Sequence, residues 1–163
     1  MKNQFGVGLV EVLVALLLVS IGVLGFVALQ YRAAEAGGEA SHRVLATEIA
    51  RDIAERVRVN NSDSAIQIYK AGGSVASVPS CYTNECNDTQ RARFDLAQTT
   101  SSAQNLGMAL NITNCPVNVN KTCIYVAWDK TSATSLGDNS CTETNGNRFS
   151  YRDQSTCVVM EAF

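Results

Sequence analysis

Apolar and polar positions divide this chain into three stretches with different periods. From residue 7 to residue 29 every position is apolar or glycine except Glu11 and Ser20. As a helix rising about 1.5 Å per residue, that stretch spans roughly 35 Å, enough to cross a hydrocarbon core. Beyond it the period changes. Val44, Leu45, Ile49, Ile53 and Val57 recur at steps of about four, with Arg43, Glu48, Arg51, Asp52, Glu55, Arg56 and Arg58 on the other faces. This predicts an amphipathic helix with one stripe for a core. The i,i+4 pairs Arg51 with Glu55 and Asp52 with Arg56 add only a few tenths of a kcal/mol each. Joined, the two halves make a helix of about 50 residues, roughly 75 to 80 Å if unbroken. Gly37-Gly38 predicts a bend between them, and Asn60-Asn61-Ser62 predicts the stop.

The third stretch is rich in Asn, Ser, Thr and Gly and carries only short apolar runs. Those runs, Ala65 to Tyr69, Gly107 to Thr113, Cys123 to Trp128, Arg148 to Arg152 and Thr156 to Phe163, predict strands joined by polar loops. Within one of them Ile124, Val126 and Trp128 alternate onto a single face, the natural one to lie on the amphipathic helix. Trp128 is therefore expected in the core. The whole predicts an α+β fold, a long N-terminal helix on a small, mostly antiparallel sheet.

Glu11 is the residue that the apolar pattern does not explain. A carboxylate at the centre of a spanning helix costs about 2.5 to 3.5 kcal/mol on insertion scales, and less near an end, so its usual reading is functional, with a partner to be named. Cleavage after Gly6 would create that partner. The new amino terminus at Val7 is cationic, and positions 7 and 11 lie on one side of a helix. A secretory signal, with Ala34-Glu35-Ala36 as a loose cleavage site, has too short an apolar region to match. A plain membrane anchor leaves Glu11 without a role.

The leader Met1 to Gly6, followed by Val7-Gly8-Leu9-Val10-Glu11 and an apolar helix, resembles the class III signal of type IV pilins and pseudopilins. The resemblance implies that a membrane-embedded prepilin peptidase cuts between Gly6 and Val7, that the amine of Val7 is methylated, and that Glu11 meets the amine of an adjacent subunit during filament assembly. Two positions depart from the family's habit: Val7 stands where Phe or Met is common, and Ala28 where a proline is frequent. More loosely, Cys81 to Asp95, Ile124 to Trp128, the loop with Cys141, Arg148 and the terminal strand Cys157 to Met160 resemble minor pilins of the PilV type. The resemblance thus implies the pilin fold, with residues 1–6 a leader, 7–29 a transmembrane and filament-core helix, and 30–163 a head that includes the amphipathic helix to about residue 60.

Composition narrows the remaining chemistry. About 130 residues follow the anchor, enough for one modest domain. Six cysteines, Cys81, Cys86, Cys115, Cys123, Cys141 and Cys157, all lie beyond it, an even number suited to disulfides outside the cytoplasm. Fifteen pairings are possible; local spacing favours Cys81 with Cys86, Cys115 with Cys123 and Cys141 with Cys157. Zinc is disfavoured, because no C-x-x-C pair occurs and the only histidine is His42 on the helix. Asp129, Asp138 and Glu143 lack the spacing of a calcium loop and read as solvated carboxylates. No catalytic constellation, nucleotide loop or cofactor motif is present in the sequence. Net charge is −2, and loss of Lys2 with the leader makes it −3, while Arg91 and Arg93 form only a small basic spot, so a nucleic-acid surface is not indicated.

The resemblance thus implies a non-enzymatic minor pilin, a subunit of the type IV pilus or its initiating complex. Its expected partners are other pilins, prepilin peptidase and the inner membrane. The precursor would have its N-terminus in the cytoplasm and its head in the periplasm, before passing into an extracellular pilus. A pseudopilin of a type II secretion machine and a membrane-tethered periplasmic binding module are the alternatives.

Overall fold

The computed structural model describes residues 8–72, 78, 80–146 and 148–162. The chain divides into two compact units, Met1–Ser41 and His42–Phe163. One helix, α1 (Leu9–Val59), contributes to both. Helical structure continues through Gly37 and Gly38. A Cβ at either glycine would meet nothing within 4 Å, so no close packing demands glycine there. Each costs about 1 kcal/mol relative to Ala, and the flanking Ala33-Ala34-Glu35-Ala36 and Glu39-Ala40, strong helix formers, offset the penalty.

In the first unit the large apolar side chains from Leu9 to Tyr31 are all at least 47% exposed. An 18-residue window of this segment has a mean hydropathy of 3.0 and none of it is buried within the protein. Ser20, the second polar residue of the segment, donates from Oγ to the Leu17 carbonyl at 2.8 Å, which satisfies its hydroxyl inside the helix. By length and composition this helix can cross a bilayer.

The second unit builds its core from the rest of α1. Ala46, Ile49, Ala50, Ile53, Ala54 and Val57 are buried, a stripe with the expected period but shifted toward the alanines. Val44, assigned to the stripe by pattern, is 59% exposed. The alanines, together with Ile49, Ile53 and Val57, and not Val44, make the buried face.

Ala65 to Tyr69, expected as a strand, is helix: α2 (Asp63–Ala71). Ser62 caps it by accepting from the Ala65 N–H at 3.4 Å, and Asp63 and Lys70 complement the helix dipole at its two ends. Ala65 and Tyr69, four apart, are the buried pair. The apparent alternation of Ile66 and Ile68 misleads, because five residues cannot separate the two periods.

Helix α3 (Asp88–Asn105) has no counterpart among the elements that the sequence predicts. Its buried residues, Ala92, Asp95, Leu96, Thr99 and Ala103, have helical spacing but include a carboxylate and a hydroxyl. A hydrophobicity pattern therefore passes over them. The signal that could have found the helix is its N-terminal capping box, in which Asn87 Oδ1 accepts from the Gln90 N–H at 2.9 Å and Gln90 Oε1 accepts from the Asn87 N–H at 3.0 Å.

Five strands follow: β1 (Met108–Asn114), β2 (Thr122–Trp128), β3 (Thr142–Asn145), β4 (Arg148–Tyr151) and β5 (Cys157–Ala162). The main sheet is antiparallel in the order β1-β2-β5, with Ile112 opposite Ile124 and Ile124 opposite Met160. A separate hairpin pairs β3 with β4, and β3 is a strand that the apolar runs do not predict. Ile124, Val126 and Trp128 join the helices in one core cluster, as their alternation predicts, and Trp128 is 4% exposed.

The opposite face of β2 is buried as well. Cys123, Tyr125 and Ala127 sit in a second cluster with Cys115, Ala133, Cys141 and Cys157. Disulfides join Cys81 to Cys86, Cys115 to Cys123 and Cys141 to Cys157, each between neighbours in sequence. Two of the three roof the outer face of the sheet with sulfur in place of a second layer of helix. The arrangement is the α+β pilin fold, an apolar N-terminal helix with a small antiparallel sheet and three disulfides.

Candidate functional site

At the amino-terminal end of α1 the first helical turn closes on Gly8, whose carbonyl accepts from the Glu11 N–H at 2.9 Å and from the Val12 N–H at 3.3 Å. Glu11 thus lies in the first turn, where the unpaired N–H groups and the helix dipole favour a carboxylate. Its side chain is exposed, and Leu9, Val10, Val12 and Leu13 around it are 47–77% exposed. Among the described residues Glu11 makes no ion pair or side-chain hydrogen bond. An ionised carboxylate is acceptor-only, so its partners are hydrogen-bond donors and cations. Gly6 and Val7, the expected cleavage and methylation positions, lie outside the described residues.

A second constellation, not foreseen from sequence, ties the head together. Arg56 on α1 donates from Nε to both Asp52 oxygens at 3.0 Å and from Nη1 to Asp95 Oδ1 at 3.0 Å and Gln98 Oε1 at 2.8 Å on α3. Asp95 Oδ2 in turn accepts from the Tyr69 hydroxyl of α2 at 2.9 Å. Asn60 donates to the Asp88 carbonyl at 2.8 Å. All three helices therefore converge on one carboxylate, which is 8% exposed. The i,i+4 pair of Asp52 with Arg56 matters less for itself than for orienting Arg56 toward Asp95. Arg51 and Glu55 do not pair; Glu55 meets Arg58 instead at 3.5 Å.

Burial, together with the charge and hydrogen bond of Asp95, pushes the Tyr69 phenol well above its ordinary 10. The unfolded chain therefore releases this proton first. The contribution of Tyr69 is complete below about pH 10 and is lost as the pH climbs from there toward the folded-state value. Unfolding free energy measured in denaturant should fall from about pH 9.5 to about 11.5 more steeply for the natural chain than for Tyr69→Phe. Equal slopes would remove Tyr69 as the source.

Elsewhere the candidate residues stay apart. His42 is exposed on α1 and stacks on Trp128, ring centroids 6.0 Å apart and planes 21° from parallel. Asp129, Asp138 and Glu143 form no metal-ligating group; among the described residues no set of three His, Cys, Asp or Glu does.

Comparison with known families divides the chain at the same place as its chemistry. The prokaryotic N-terminal methylation motif matches residues 1–27, and the family described as type IV pilin Tt1218 matches residues 28–97. No curated protein and no solved structure gives a match. The two matched segments meet without a gap and together cover residues 1–97, and the pilin family is a structural one. On the methylation motif, the apolar N-terminal helix, the antiparallel sheet and its disulfides, the chain belongs to the type IV pilin superfamily.

Proposed function

We propose that this chain is a minor pilin of the type IV pilus, made as a precursor, held in the inner membrane and drawn from there into a pilus or its initiating complex. Its working parts are the leader at residues 1–6, the spanning and filament-core helix at 7–29 and the head at 30–163. Prepilin peptidase cuts between Gly6 and Val7, the amine of Val7 is methylated, and the head faces the periplasm. The observation that carries the reading is Glu11: one carboxylate, unpaired among the described residues, in the first turn of a helix that is otherwise apolar or glycine to Leu29 apart from Ser20.

In assembly, contacts with neighbouring helices replace contacts with lipid. Lipid tails are as apolar as leucine, so the exchange itself gains little, and a polar pair decides the register. Leader removal supports this in two ways. It creates the cation that Glu11 lacks, and it deletes Lys2, a charge that would otherwise have to leave the cytoplasmic interface.

Intact mass and N-terminal sequencing of the membrane-extracted protein test the reading. The expected chain begins at Val7 with one added methyl group; an uncut Met1 or a start near Gly37 overturns it. Deleting the gene should remove or reduce surface pili. Normal pili with blocked protein secretion would instead assign the chain to a pseudopilin role.

A further inference from the structure

A cavity of about 380 Å³ opens between the turn leaving β2 and the turn entering β5, walled by Asp129, Lys130, Asp138, Arg152, Asp153 and Ser155 among others. Both rims are tight turns: the Thr131 N–H donates to the Trp128 carbonyl at 3.3 Å, and the Ser155 N–H to the Arg152 carbonyl at 3.1 Å. Each holds a non-glycine residue in the left-handed region, Asp129 at φ 57° and Gln154 at φ 62°, and these are the two such residues in the described chain. Side chains tolerate that region at a cost, and such costs gather where a ligand is held. The rims are also locked to each other. Thr156 donates from N to Thr131 Oγ1 at 2.9 Å and from Oγ1 to the Trp128 carbonyl at 2.6 Å.

The charges in this cavity remain apart. Three carboxylates and two cations line it, yet none of the five makes an ion pair or a side-chain hydrogen bond among the described residues. Arg152 is half-buried, and its Nε, like Ser155 Oγ, is sealed within the protein without a partner. A simple anion would meet three carboxylates, and a simple cation two positive side chains. A neutral ligand would leave the guanidinium uncompensated. We propose that the cavity binds a small zwitterion bearing a carboxylate and an ammonium group, such as a free amino acid or a dipeptide. Arg152 takes the carboxylate through its guanidinium, and Asp138 and Asp153 take the ammonium.

The full-length protein in detergent micelles, titrated calorimetrically with glycylglycine, tests this. Saturable binding at one site is expected, weakened about tenfold or more by N-acetylation, by C-terminal amidation and by Arg152→Gln, since each removes a charge-assisted hydrogen bond. Asp153→Asn, a change at an exposed side chain that leaves the fold intact, should weaken glycylglycine but leave the N-acetylated peptide unaffected. Absence of saturable binding, equal binding of blocked and free dipeptide, or displacement of the dipeptide by galactose overturns the proposal.

Discussion

Asp95→Ala should lower the stability of the head by about 3 kcal/mol, a large share of the roughly 5–15 kcal/mol that holds a domain together. The cost arises from what remains. Arg56, 29% exposed at its side chain, keeps a cation whose Nη1 has lost its carboxylate, and the Tyr69 hydroxyl, in a side chain with no exposure, loses its acceptor. Partial access of water to Arg56 keeps the figure below that for a fully buried pair. Thermal unfolding of the full-length protein should move down by roughly 10 °C or more. Asp95→Asn, which retains an acceptor for Tyr69, should lose less. If the alanine variant melts within a degree or two of the natural chain, the three-helix junction does not organise the head.

The second large effect concerns assembly and not stability. Glu11→Val should leave the precursor inserted and processed, because the substitution only makes an apolar helix more apolar. Incorporation into filaments should fall by about tenfold or more, measured as the ratio of this chain in sheared pili to that in membranes. The loss follows from an amine of Val7, or of a neighbour's first residue, left without a counter-charge among packed helices, where an unpaired ion costs several kcal/mol. Glu11→Asp, which keeps the charge on a shorter arm, should restore part of it. Normal incorporation of the valine variant would deny Glu11 its role, while failure of cleavage would move that role to processing.

The two predictions rest on residues that differ in how visible they are in sequence. Glu11 stands out because its surroundings are uniform: one carboxylate among apolar neighbours violates a simple pattern. Asp95 is hidden for the opposite reason. It lies in a largely polar stretch, Arg91 to Ser101, where a buried carboxylate and solvated ones look alike until three helices meet around it. The same limit explains the elements. Helix α1 and strand β2 carry long or strongly β-branched patterns and are legible. Helix α3 is not, because its inner face is made largely of Ala, Asp and Thr and its stability comes from caps and tertiary contacts. At α2 the cap Ser62-Asp63 is in plain view, but it is overshadowed by the short apolar run that follows it. The Cα pairing of β2 with β1 and with β5 cannot be read at all, since register depends on which face each neighbour covers.

Strand β2 is buried at all seven positions. In an ordinary half-solvated sheet, slipping by one residue throws every apolar side chain into water, and that penalty keeps the pairing true. Here a slip would exchange Ile124, Val126 and Trp128 for Cys123, Tyr125 and Ala127, one dry face for another. Solvent supplies no strong correction. What distinguishes the right alignment is the tether of Cys123 to Cys115 across the β1–β2 connection and that of Cys157 to Cys141 at the start of β5. Fidelity of this sheet is accordingly written in thiol chemistry, and a head that closes before its cysteines are oxidised has lost its proofreader.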